Sequence, residues 1–159
     1  MARRINLSQI GNFAQDQFEQ LLREVVFETD RRLKEASPID TGRLRLAWSI
    51  GENSTPGYDP GPQTSAVSIT PPRRLNYGAE RAGNVYHIHN SLPYAEPVLY
   101  GTGLPASWGG QWRSVSHTKR DGKDVTGPPP QIQKAYPDII VREMAGWARA
   151  RADAIGRRD

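Results

Sequence analysis

The chain has 159 residues, a formal net charge of +4 and no cysteine. A chain of this size fits one domain, able to bury about two-thirds of its unfolded surface. Disulfides and thiolate metal sites are excluded, and no apolar run approaches the ~20 residues of a membrane span. The basic balance, much of it in Arg3, Arg4, Arg149, Arg151, Arg157 and Arg158 near the ends, permits nucleic acid or an acidic protein surface as partner without choosing between them. The first residues lack the apolar stretch of a signal peptide, and the absence of cysteine fits a cytosolic origin.

Residues 1–7 read as an arm. From Ser8 to Ala36, apolar residues recur at three- and four-residue steps (Ile10, Phe13, Phe18, Leu21, Leu22, Val25, Leu33), which predicts one long helix. Ser8 suits the N-cap, and Glu28/Arg32 and Asp30/Lys34 are favourable pairs four apart. A helix near 40 Å long, at ~1.5 Å per residue, needs a sheet or a neighbouring subunit beside it. Pro38 disfavours helical geometry at Ser37 and stops the helix. Asp40 and Thr41 offer short oxygen side chains to free backbone N–H groups, and Gly42 permits a bend or a close approach. The stretch 37–44 is therefore a corner.

Leu44, Leu46, Trp48 and Ile50 alternate with polar or small residues, as in a strand, although Leu44 and Trp48 four apart also fit a helical turn. Residues 51–62 read as a loop and Ser65–Thr70 as a second strand. Residues 71–84, with Pro71-Pro72-Arg73-Arg74, form a polar excursion, and Val85–Asn90 a third strand. Leu92-Pro93 turns into a fourth strand at Ala95–Tyr100, completing a hairpin. Residues 103–130 are a long irregular loop, too long to be a mere connector. Residues 137–155 are a second helix, opened by Pro137 and Asp138 and stopped at Gly156, with Gln131–Tyr136 a possible preceding turn. The expected fold is α+β: a small, mostly antiparallel sheet of about four strands packed against both helices, with long loops.

Candidate chemistry is sparse. His87 and His89 share one strand face, but a metal would also need His117, Glu80 or Glu96, and no spacing enforces that. Interface or surface histidines are the better reading. Residues 101–106 follow a strand with Gly-Thr-Gly, yet Pro105, Gly109 and Gly110 forbid the helix a dinucleotide site requires. No Gly-x-Ser-x-Gly elbow exists, and Asp40 reads as a cap rather than a catalytic acid. No base, nucleophile and oxyanion donors assemble, so neither enzyme activity nor a cofactor is expected. Trp108, Trp112, Arg113 and Lys119 interleave aromatics with positive charge. Such a loop suits a protein interface, or alternatively a nucleic-acid-binding module stacking bases. Arg73 and Arg74 in the excursion, and Arg142 and Arg149 on the last helix, are further interface candidates.

Pro38-Ile39-Asp40-Thr41-Gly42-Arg43-Leu44-Arg45, followed by an Ala/Ser-rich strand, resembles a signature of tailed-bacteriophage head–tail joining proteins, variously called neck, tail-completion or minor tail-component proteins. A second block, Tyr86, Asn90, Pro93-Tyr94-Ala95 and Leu99-Tyr100-Gly101-Thr102, is similar to the same family, with Leu99 where an acidic residue is common. The likeness spans roughly 18–102 plus a terminal helix. It implies a structural protein of the virion, assembled in the host cytoplasm into a homo-oligomeric ring, hexamer or dodecamer, at the head–tail junction. Its partners would be portal or adaptor proteins on one side, tail tube or terminator proteins on the other, and genomic DNA in the lumen, with no membrane. Pro38, Asp40, Thr41, Gly42, Tyr94, Gly101 and Thr102 are then residues of a structural corner. The loops 52–63, 71–84 and 103–130 would reach the neighbouring layers.

Overall fold

The structure, a computed structural model, describes residues 7–38, 41–62, 64, 69–100, 115–118, 124–127 and 136–156. It is α+β, with helix α1 (Leu7–Ala36), a one-turn helix α2 (Arg43–Leu46), strands β1 (Trp48–Glu52), β2 (Arg74–Leu75) and β3 (Tyr86–Asn90), helix α3 (Ala95–Tyr100), strands β4 (Val115–Thr118) and β5 (Asp124–Gly127), and helix α4 (Tyr136–Gly156). The main sheet has order β2-β1-β3, with β2 parallel and β3 antiparallel to β1. It is thus a mixed sheet of three strands, not a mostly antiparallel one of four.

Both long helices form where the periodicity predicts, with ends shifted by a residue. The first strand begins later than expected. Residues 43–46 take the helical alternative, so Leu44 and Arg45 turn inward instead of alternating. Ala95–Tyr100 is a helix, not a strand. Ala95, Val98 and Leu99 are buried at the i, i+3, i+4 spacing of a helix face, and Pro97, which lacks the N–H a central strand must donate, sits within its first turn. Of the expected strand at Ser65–Thr70, residues 65–68 lie outside the described residues, and Ile69 and Thr70 are not in a strand. The second partner of β1 comes instead from Arg74-Leu75, inside the stretch read as a projecting excursion. The segment 103–130 is not wholly irregular, because β4 and β5 pair as an antiparallel hairpin with Val115 opposite Gly127.

The core lies between one face of the sheet and the helices. Leu33 of α1, Leu44, Trp48, Leu92, Val98 and Leu99, and Tyr136, Ile140 and Met144 of α4 form one cluster. α4 lies antiparallel along α1: Arg32 pairs with Glu143, and Arg151 forks onto Glu24 farther back. The opposite face of β1 is closed by residues 53–57. A Cβ on Gly51 would fall 2.3 Å from the Ser54 carbonyl oxygen and 2.5 Å from Pro56, so only glycine lets that loop lie flat on the sheet.

Gly42 supplies the bend expected at the corner, but α2 starts from Gly42 with no side-chain cap hydrogen bond, so the capping expected of Thr41 is not made, and Asp40 lies outside the described residues. Gly42 has φ 87°, a left-handed conformation that costs a β-branched residue heavily. Gly42→Val should therefore lower stability by about 1–3 kcal/mol. Thermal unfolding measures it, and an unchanged midpoint would show that the corner does not need this conformation.

Candidate functional site

Among the described residues the corner gathers a buried polar constellation, and its centre is Ser37. The Ser37 hydroxyl has one proton, which it donates to the Leu33 carbonyl at 2.7 Å. Its oxygen then accepts from Trp48 Nε1 at 2.8 Å and from the Tyr136 hydroxyl at 3.1 Å. One buried serine thus ties the end of α1, the start of β1 and the start of α4. Burial, only partly offset by the Ser37 bond, pushes the Tyr136 hydroxyl up to about 12, so it stays a donor. Arg45, one of the polar residues alternating with Leu44 and Leu46, is buried, and it donates to the carbonyls of Glu35 and Ser37 at the C-terminal end of α1.

The two sequence blocks of the family resemblance meet here. Asn90 Nδ2, at the end of β3, donates to the Leu44 carbonyl at 2.8 Å, and its Oδ1 accepts from Leu92 N. Leu44, Ala95, Val98 and Leu99 belong to one apolar cluster, with Tyr94 packed against it. Pro38, Thr41 and Gly42 sit at the bend, whereas Asp40, Gly101 and Thr102 lie outside the described residues.

The stretch 71–84 folds back on the domain. Arg74, an expected interface residue, is committed internally. Its guanidinium forks onto buried Glu80 at 2.9 and 3.0 Å, donates to the Gly78 carbonyl at 2.8 Å and lies over the Phe27 ring of α1. Tyr77 donates to the same Glu80, and burial with that carboxylate beside it pushes its hydroxyl well above the ordinary range. The signal was available: an Arg followed six residues later by Glu80, the only acid in the segment. Arg73 is exposed but stacked 4.2 Å from the Tyr58 ring centroid, joining the two excursions 52–62 and 71–84. Arg142 and Arg149 are exposed on α4. Trp108, Trp112, Arg113 and Lys119 lie outside the described residues.

His87 and His89 do not gather ligands. His89 Nε2 donates to the Pro56 carbonyl at 2.5 Å, which spends that nitrogen on the loop covering Gly51. Among the described residues no three metal-binding side chains come together.

Two surface features belong to the long first helix, for which the sequence called for a sheet or a neighbouring subunit. The register set by Arg32–Glu143 and Arg151–Glu24 places Gly156, the end of α4, opposite Glu19. The first twelve or so residues of α1 run on beyond it, about 18 Å at ~1.5 Å per residue. Ile10, Phe13 and Phe18 on this overhang are 49%, 50% and 51% exposed. Farther along, an open groove of about 940 Å³ lies between α1, residues 69–72 and α4; Phe27, Ile69, Pro71, Pro72 and Trp147 supply much of its apolar wall.

The rim of that groove carries an ion-pair network with a pH signature. Arg31 first, and Arg32 with it, hold the Glu28 carboxyl down at about 2, against an ordinary 4.5. A depressed carboxylate stabilises the fold above its unfolded pKa and loses that contribution as pH falls through the folded value, here from about 4.5 to about 2. Glu28→Gln should cost about 1 kcal/mol at pH 7, after solvent screening, and flatten the acid limb of stability. Urea midpoints at pH 7 and pH 3 test this; equal losses at both would refute it.

Compared with known protein families, curated proteins and solved structures, the chain matches none.

Proposed function

We propose that the chain is a structural protein of a tailed-phage neck, a ring subunit at the head–tail junction that connects the portal and adaptor to the tail and lets DNA pass. The observation that carries this reading is the corner. Two sequence blocks that resemble the head–tail joining family, 46 residues apart at Asn90 and Leu44, pack into one buried unit. Such a unit fixes the angle between α1 and the sheet, and a ring subunit must hold that angle identically in every copy. The half-exposed apolar residues at the start of α1 agree with a chain that completes its burial against neighbours. Function here is assembly geometry rather than turnover.

The test is genetic and visual. A phage with this chain's reading frame interrupted should yield DNA-filled heads and finished tails that stay apart, and purified chain should rejoin them. Normal joined particles from the interrupted phage would overturn the proposal. A monomer that binds DNA oligonucleotides with steep salt dependence would favour the nucleic-acid-binding module instead.

A further inference from the structure

The overhang of α1 cannot reach the groove beside its root in the same copy, because both belong to one continuous helix, Leu7–Ala36. Ile10, Phe13 and Asp16 follow one another at three-residue steps, a ridge along the helix with two half-exposed apolar anchors and an acid. Between Leu7 and Leu22 the only ionisable side chains are Asp16 and Glu19, both acidic. Glu19 already accepts from Gln15 and from the backbone of Ala82, whereas Asp16 meets no cation among the described residues.

The groove is partly apolar, and its lining carries three cations and three carboxylates. Its apolar wall is Phe27, Ile69, Pro71, Pro72 and Trp147. Each of its carboxylates is already neutralised: Glu24 by Arg151, Glu28 by Arg31 and Arg32, and Asp30 by Lys34. Among the described residues one lining cation is left over. Arg23 stacks 5.4 Å from the Phe27 centroid and meets no carboxylate among the described residues.

We propose that the α1 overhang of one copy seats in the α1–α4 groove of a second copy, with Ile10 and Phe13 on its apolar wall and Asp16 against Arg23. This is a helix laid in a groove, anchored at helical spacing. The contact joins two different patches, so it propagates from copy to copy and closes into a ring when the rotation permits. It rests on the ring reading above and names the surfaces that would form the ring.

The chain has no cysteine, so introduced thiols report without background. Phe13→Cys and Ile69→Cys are made in separate preparations, mixed at high concentration and oxidised. A disulfide joining the two different variants is expected to dominate. Disulfides only between Phe13→Cys chains, or none at all, would overturn the proposal. Charge reversal gives an independent reading. Asp16→Arg and Arg23→Glu should each weaken self-association about tenfold, and the double variant should restore it. Additive losses in the double variant would refute a direct contact. Circular dichroism and melting should match the parent chain, because both residues lie outside the core.

The failures are separable. If Asp16→Arg chains still complete particles whose necks show intact rings, the arm-in-groove contact is wrong while the neck reading stands. If the parent chain is absent from the virion yet the mixed disulfide forms, the neck reading fails and the contact survives.

Discussion

Replacing Lys34 with methionine is expected to destabilise the protein by about 3–5 kcal/mol, one of the two largest effects of any single change. Lys34 is fully buried, and its three ammonium protons have three acceptors: Asp30 Oδ2 at 2.7 Å and the carbonyls of Thr70 and Pro71 at 3.3 and 3.1 Å. The side chain therefore neutralises a buried acid and also holds the 69–72 strap against α1. Methionine fills the space but leaves Asp30, 1% exposed, as an uncompensated charge. Urea denaturation of the variant measures the loss. Converting both positions to apolar residues, Asp30→Leu with Lys34→Met, should recover most of it, because the penalty lies in the stranded carboxylate rather than in the missing bond. A single-variant loss below about 1 kcal/mol would mean that Asp30 finds other solvation.

The pH dependence has a definite sign. Burial raises the Asp30 carboxyl above its ordinary value, with Lys34 opposing. A raised carboxyl favours folding below the unfolded pKa and loses that contribution as pH rises through the folded value. The Lys34→Met deficit should therefore shrink on acidification, as Asp30 takes up a proton.

Trp48→Ala is expected to cost a similar amount, about 3–5 kcal/mol. The indole is 4% exposed within the central cluster and also supplies the N–H that Ser37 accepts. Trp48→Phe keeps much of the packing and loses the bond, so about 1–2 kcal/mol is expected, and the difference between the two variants measures the packing. Because Ser37 also holds Tyr136, the damage should spread: amide protection in the first turn of α4 should fall together with that of β1. Loss confined to β1 would show that Ser37 does not couple the two.

What was legible in the sequence follows the range of each interaction. The helix over 8–36 was readable because its apolar spacing is local and sustained, and the Glu28–Arg32 and Asp30–Lys34 pairs because helix geometry brings residues four apart together. The bend at Gly42 was readable because few residues adopt its φ. The misreading of Ala95–Tyr100 came from a short apolar run, which periodicity assigns poorly; Pro97 and the 95/98/99 spacing were the better signals. The hairpin of β4 and β5 was missed because both strands are short and polar, although the sequence Asp121-Gly122 between them is of the kind that favours hairpin turns.

From the sequence alone came the α+β class, the long first helix, the last helix and the corner, since each depends on neighbours within a few residues. Only the tertiary structure decided that β2 is Arg74-Leu75, that Arg74 is locked onto Glu80, that Lys34 and Arg45 are buried, and that the first turns of α1 stand clear of the domain. Those outcomes turn on which distant segments compete for the same surface, and a strand pairing or a buried charge is settled by partners that local pattern does not encode.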